Sequence, residues 1–86
     1  MPAVCRVLYV DDEPGLLGIG KRFLEKEGAF AVDTLTSAVD ALESLKTERY
    51  DVIISDYEMP EMDGIGFLKQ LKTSGNSTPF IISHHA

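Results

Sequence analysis

Cysteine and long apolar runs are scarce in this sequence, and each shortage excludes a class of protein. One thiol, Cys5, cannot form an internal disulfide, so a secreted framework held by disulfides is excluded and a cytoplasmic location is the default. No apolar run approaches about 18 residues, so no membrane span is expected. No charged start precedes an apolar segment and a cleavage site, so no signal peptide is expected either.

Basic residues are also in short supply, since eight Lys and Arg face fourteen Asp and Glu, for a formal net charge of −6. A net charge of this sign argues against binding nucleic acid or an anionic membrane through bulk charge. The 86 residues allow one domain, 1–86, which is near the lower limit of what a single core stabilises. The apolar fraction of 44% is ordinary for a globular protein.

Short apolar runs alternate with segments of helical periodicity along the whole chain. The runs are rich in β-branched residues and predict four strands, at residues 4–10, 30–35, 52–55 and 80–83. The first run is too continuous for a strand with one wet face, so it predicts a strand covered on both sides. The alternation is typical of an α/β fold with a parallel sheet, right-handed crossovers and helices on both faces.

Three helices are predicted between these strands. The first begins at Pro14 and ends near Gly28. Ser37 caps the second and Asp63 caps the third. Their predicted apolar faces follow the 3.6-residue period. The faces comprise Leu16, Ile19, Gly20, Phe23 and Leu24 in the first helix, Ala38, Ala41, Leu42 and Leu45 in the second, and Ile65, Leu68 and Leu71 in the third.

Acidic residues follow the first and third strands directly. Asp11 and Asp12 come after the first strand and Asp56 after the third. If these strands are neighbours, the three carboxylates meet at the edge where parallel sheets bind ligands. Such a cluster repels itself unless a cation neutralises it, and oxygen ligands without His or Cys suit Mg²⁺. A carboxylate beside Mg²⁺ can also be a nucleophile towards phosphorus.

Simpler interpretations of these acids remain open. Asp11 and Asp12 could serve only as acids at the N-terminus of the first helix, where a negative charge is favourable. Asp56, taken alone, could be an exposed loop residue. Only the placement of all three acids at the ends of two strands makes the metal interpretation specific.

Four segments resemble the receiver domains of two-component response regulators. They are VLYVDDEP, SAVDALESL, YDVIISDYEMPEMDGIGFLKQLK and TPFII, and the resemblance covers residues 4–82. The pattern D-x-x-M-P-x-M-D-G, with an acidic pair 45 residues upstream, is highly specific. The resemblance implies a flavodoxin-like (CheY-like) doubly wound parallel sheet. It also implies that the chain is an incomplete, C-terminally truncated receiver domain of about four βα units, without the fifth strand and last helices.

The resemblance also implies roles for matched positions. Asp56 would accept a phosphoryl group from a histidine kinase, and catalysis would be limited to phosphorylation and dephosphorylation of this residue. Asp12, Asp56 and the backbone carbonyl of Glu58 would bind Mg²⁺ directly, and Asp11 would hold the ion through water. The chain would therefore be a signalling module and not an enzyme in the ordinary sense.

The C-terminal region departs from the family pattern. The family's switch hydroxyl, counted from Pro79, falls on His84, and Ser83 is one residue short. Ser83 is expected to serve only if the strand shifts register or bulges, because neighbouring side chains face opposite sides of a sheet. The lysine that ends the family's fifth strand has no counterpart. An exposed edge of the fourth strand also predicts a homodimer through that edge.

Two other functions compete with the phosphoacceptor hypothesis. A receiver-derived module could dock a kinase or another protein without being phosphorylated. A phosphohydrolase of the haloacid-dehalogenase class would also use an aspartate nucleophile, but it typically carries a second Asp two residues later. Glu58 occupies that position here, which disfavours the hydrolase.

Overall fold

The computed structural model describes residues 4–83, in which strands and helices alternate as predicted. The four strands are parallel and lie in the order β2-β1-β3-β4. The predicted α/β class and parallel sheet are therefore confirmed. The elements are β1 (Cys5–Val10), α1 (Pro14–Glu25), β2 (Phe30–Leu35), α2 (Ala38–Ser44), β3 (Val52–Asp56), α3 (Gly64–Thr73) and β4 (Phe80–Ser83).

The strand order places β1 and β3 side by side in the middle of the sheet. Val10 at the end of β1 pairs with Leu35 of β2 on one side and with Ser55 of β3 on the other. The carboxyl ends of β1 and β3 therefore lie next to each other, which is the adjacency that the predicted acidic site requires. At the other side of β3, Asp56 pairs with Ser83 of β4.

The main core lies between one face of the sheet and helices α2 and α3. Phe67 of α3 is fully buried, and its ring meets that of Phe80 edge to face at a centroid distance of 5.2 Å. The predicted face of α2 is confirmed, whereas the face predicted for α3 omitted Phe67. The buried cluster comprises Leu8, Val10, Ala38, Ala41, Ile53, Phe67 and Leu71.

The apolar face predicted for α1 is confirmed only in part: Gly20 faces the ring of Tyr9 and Leu24 is half-buried, but two of its predicted members are exposed. Leu17 is the buried residue of this helix, while the side chains of Ile19 and Phe23 are 59% and 76% exposed. The helix is rotated so that Lys21 reaches the outer edge of β2, where its ammonium donates to the backbone oxygen of Val32. Because Leu16 and Leu17 are adjacent and both apolar, the helical periodicity fits a face that contains either leucine. The contacts of α1 with β2 select the face that contains Leu17.

The caps of the other two helices are as predicted. The Ser37 hydroxyl accepts a hydrogen bond from the backbone N–H of Asp40, and the Asp63 carboxylate accepts one from Gly66 at 2.8 Å. Each bond satisfies an N–H that the first helical turn leaves without a partner. Among residues 4–83, no helix combines the length and apolarity needed to cross a bilayer.

Candidate functional site

Three carboxylates converge at the carboxyl ends of β1 and β3. Asp11 and Asp12 follow β1, Asp56 is the last residue of β3, and one oxygen from each lies within 4.8 Å of the others. The sequence places these acids 45 residues apart, and the pairing of Val10 with Ser55 brings them together. The convergence predicted from the sequence is confirmed.

The three acids differ in their exposure to solvent. Asp11 is completely buried, Asp56 is 7% exposed, and Asp12 is open to solvent. One Asp11 oxygen accepts a hydrogen bond from the backbone N–H of Glu13 at 3.0 Å, which fixes the orientation of that carboxylate. Asp11 therefore does support the turn before α1, but the helix cap itself is Glu13, whose side chain makes no capping bond.

This donor set fits a hard divalent cation. Carboxylate oxygens are the ligands that Mg²⁺ and Ca²⁺ prefer, and among residues 4–83 neither His nor Cys belongs to the cluster. Three carboxylates this close, two of them buried, repel one another unless positive charge lies between them. Asp12 is exposed, so the cluster is open to solvent on that side.

The loop after β3 is held against the sheet and α3 by backbone contacts. The N–H of Tyr57 donates to the Ser83 carbonyl at 2.9 Å, and the N–H of Gly64 donates to the Tyr57 carbonyl at 2.9 Å. A Cβ added to Gly64 would lie 2.5 Å from the backbone oxygen of Asp56, so only glycine permits this approach. Glu58 is exposed in the same loop, and the role of its carbonyl as a metal ligand stays a prediction.

Ser83 lies beside Asp56 on the neighbouring strand. The two residues are register partners, and paired residues of neighbouring strands direct their side chains to the same face of a sheet. Ser83 therefore lies opposite Asp56 in this register, and its service as the switch hydroxyl stays a prediction. His84 lies outside the described residues.

Tyr9 is a neighbour of the site that the sequence interpretation did not single out. It lies two residues before Asp11 on β1, and its ring packs against Gly20 of α1. Burial raises the pKa of the Tyr9 phenol, and the negative charges of Asp11 and Asp56 raise it further. The available signal was the two-residue spacing, since side chains two positions apart in extended backbone point to the same side and Asp11 directly follows β1.

Comparison with known proteins finds a matching family and similar relatives. The family model described as the response regulator receiver domain matches residues 7–85. Response regulator Rre1 of Synechocystis sp. is 41% identical over 66 residues, which are 77% of this chain and 29% of that protein. The chain therefore spans under a third of that relative's length.

Solved structures show the same fold. The chemotaxis protein CheY4 of Vibrio cholerae has a TM-score of 0.84 and 32% identity, over 93% of this chain and 68% of that one. The MaeR response regulator bound to beryllium trifluoride has a TM-score of 0.86 and 25% identity, over 96% and 69% of the two chains.

Fold and site together define an α/β domain with a cluster of three carboxylates that could hold a cation at the carboxyl ends of its central strands. The chain belongs to the receiver-domain family of two-component response regulators, since the family model matches nearly its whole length. Members of this family are signalling modules and not enzymes in the ordinary sense.

Proposed function

We propose that residues 1–86 act as one receiver unit that accepts a phosphoryl group on Asp56. The observation that carries this proposal is the convergence of Asp11, Asp12 and Asp56 within 4.8 Å. Asp12, Asp56 and the Glu58 carbonyl would hold Mg²⁺, with Asp11 acting through water. A bound Mg²⁺ supplies positive charge that offsets the charge of the transferring phosphoryl oxygens.

The donor in this proposal is a phosphohistidine on a histidine kinase. A carboxylate oxygen of Asp56 attacks the phosphorus in line, a P–O bond forms, the P–N bond breaks, and the imidazole leaves and takes up a proton. Beryllium trifluoride resembles a phosphoryl group in charge and shape, so its presence in MaeR supports a phosphoryl site in this fold. The pairing with Asp56 lets the Ser83 hydroxyl donate a hydrogen bond to an oxygen of the new phosphoryl group.

Two further parts of the proposal concern the surroundings of the protein. We place it in the cytoplasm, which suits a chain whose one thiol, Cys5, is free. The homodimer through the β4 edge stays a prediction. It is supported by the position of β4 at the side of the described sheet and by the half-exposed side chain of Ile81.

Intact-mass measurement after incubation with acetyl phosphate and Mg²⁺ tests the phosphoacceptor role. We expect a gain of one phosphoryl group, which disappears in Asp56→Asn and when the metal is chelated. Asp40→Asn is the matched control, because it makes the same chemical change at an exposed residue of α2 and should leave phosphorylation intact. A folded protein that gains no mass would refute the role and leave a docking module as the alternative.

A further inference from the structure

The outer edge of β2 exposes a defined set of backbone groups. Cys5 donates its N–H to the Ala29 carbonyl and Asp11 donates to the Leu35 carbonyl, each at 3.1 Å. The odd-numbered residues of this segment therefore face β1 in the parallel ladder, because bonding alternates along a strand. The even-numbered residues Phe30, Val32 and Thr34 direct their N–H and carbonyl groups away from the sheet.

At Val32 these outward groups are occupied by two side chains of α1. A carboxylate oxygen of Glu25 accepts the Val32 N–H at 2.9 Å, and the Lys21 ammonium donates to the Val32 carbonyl. Lys21 and Glu25 also pair with each other at 3.1 Å, one helical turn apart. One donor and one acceptor from α1 thus take the place that a neighbouring strand would fill.

We propose that Lys21 and Glu25 form an edge clamp that closes β2 to strand addition, and that without it β2 pairs with β2 of a second copy. An open strand edge is a template for pairing, and charged side chains are a known means of blocking it. The clamp stands between the outward groups of Phe30 and Thr34, so an incoming strand cannot form a continuous ladder. This inference does not depend on phosphorylation.

A second copy is the occupant that the edge fits best. In a two-fold arrangement each β2 presents the same outward donors and acceptors to the other, so the contact is self-complementary. A groove at this edge is lined by residues 32–35 together with Lys21, Ser44 and Glu48, so open space lies beside β2 where a second strand could pair. Removing both charges of the clamp leaves the net charge at −6, so no new repulsion opposes pairing.

Residue-resolved amide exchange in the double variant Lys21→Ala/Glu25→Ala tests the proposal. In the wild type, the Val32 amide should exchange more slowly than that of Thr34 at every protein concentration. In the dilute variant, protection of Val32 should fall by about tenfold, the loss expected for one hydrogen bond. At high concentration both amides should become protected, and the sedimentation mass should rise above that of the wild type at the same concentration.

Control variants separate the clamp from a general effect of surface charge. Glu43→Ala/Lys46→Ala removes an exposed ion pair between the last turn of α2 and the turn that follows it, and this variant should behave as the wild type. Lys21→Arg/Glu25→Gln keeps a donor and an acceptor and should retain protection of Val32. If the double variant does not fold, Glu25→Ala alone still releases the Val32 N–H and gives the same test.

Two results would overturn the proposal. The first is unchanged exchange at Val32 in the folded double variant, because the contacts of Lys21 and Glu25 would then not protect the edge. The second is loss of protection at Val32 with no concentration-dependent protection of Thr34. Association through another surface, such as β4, would leave the Val32 and Thr34 amides exchanging freely and would also overturn the proposal.

Discussion

Replacing single glycines of α1 and α3 by alanine, and comparing the effects on stability, tests how closely α3 approaches the end of β3. Gly18 lies in α1, and a Cβ added there would meet nothing within 4 Å. Alanine should therefore stabilise the protein by about 1 kcal/mol, the difference in helix propensity between the two residues. In a domain of this size that raises Tm by about 4–8 °C.

The same change at Gly64 should act in the opposite direction. A Cβ there would lie 2.5 Å from the Asp56 carbonyl oxygen and 3.3 Å from the Tyr57 Cα, and both atoms belong to the backbone. Neither can rotate away, so α3 or the end of β3 must move. Overpacking of this kind costs about 1–3 kcal/mol, and each kcal/mol lowers Tm by about 4–8 °C. The displaced Asp56 should also be phosphorylated more slowly.

Thermal unfolding followed by circular dichroism, with mass-based phosphorylation rates, measures both consequences. Gly20→Ala is an informative intermediate, because its Cβ would meet the ring of Tyr9, which can rotate, and not backbone. We expect the Tm of Gly18→Ala to be higher than that of the wild type, and the Tm of Gly64→Ala to be lower than that of Gly20→Ala. Equal gains in Tm at Gly18 and Gly64 would refute the close approach of α3 to β3.

Three further changes follow from local features. Glu61 has a φ of 68°, a conformation that costs an L-residue about 1–2 kcal/mol. Glu61→Gly should therefore raise the urea midpoint, with a net gain of up to about 1 kcal/mol once the larger conformational entropy that glycine loses on folding is subtracted. A lower midpoint would contradict this. Phe67→Ala should cost about 3–5 kcal/mol in urea unfolding, because the ring is fully buried. Hydrogen bonds from Val32 and then Lys21 lower the pKa of Glu25 below its ordinary 4.5. The stabilisation that the ionised Glu25 carboxylate contributes is therefore complete above pH 4.5 and is lost as the pH falls through the depressed pKa. Glu25→Gln should remove this dependence, so the plot of urea midpoint against pH should be flatter in that range.

The strands and the acidic site were predictable because their signals are local. Runs of β-branched residues define β2 and β4 at the residues that the structure shows, and β3 continues one residue further, to Asp56. The rule that parallel sheets bind ligands at the carboxyl ends of their strands then selects Asp11, Asp12 and Asp56. Adjacency of β1 and β3 was a condition of the prediction, and the strand order meets it.

The orientation of α1 and the placement of Ser83 depend on contacts between distant segments. Lys21 and Glu25 reach across to Val32 and set the rotation of the helix, a contact that periodicity within α1 does not encode. The position of Ser83 relative to Asp56 depends on the register between β3 and β4. Counting residues from Pro79 gives a position along the chain but does not give that register. Both features therefore depend on interactions that no short segment contains.

The acidic site itself works against the stability of the fold that carries it. Asp11 and Asp56 are buried at the ends of adjacent central strands, where their mutual repulsion tends to separate β1 from β3. The parallel ladder between β1 and β3, whose last register pair is Val10 with Ser55, opposes this separation. A cation that binds only the folded protein shifts the balance further, by about 2.7 kcal/mol at a hundred times its Kd. Asp56→Asn removes one of the repelling charges and keeps the shape of the side chain, so the variant that tests phosphorylation should fold at least as well as the cation-free wild type.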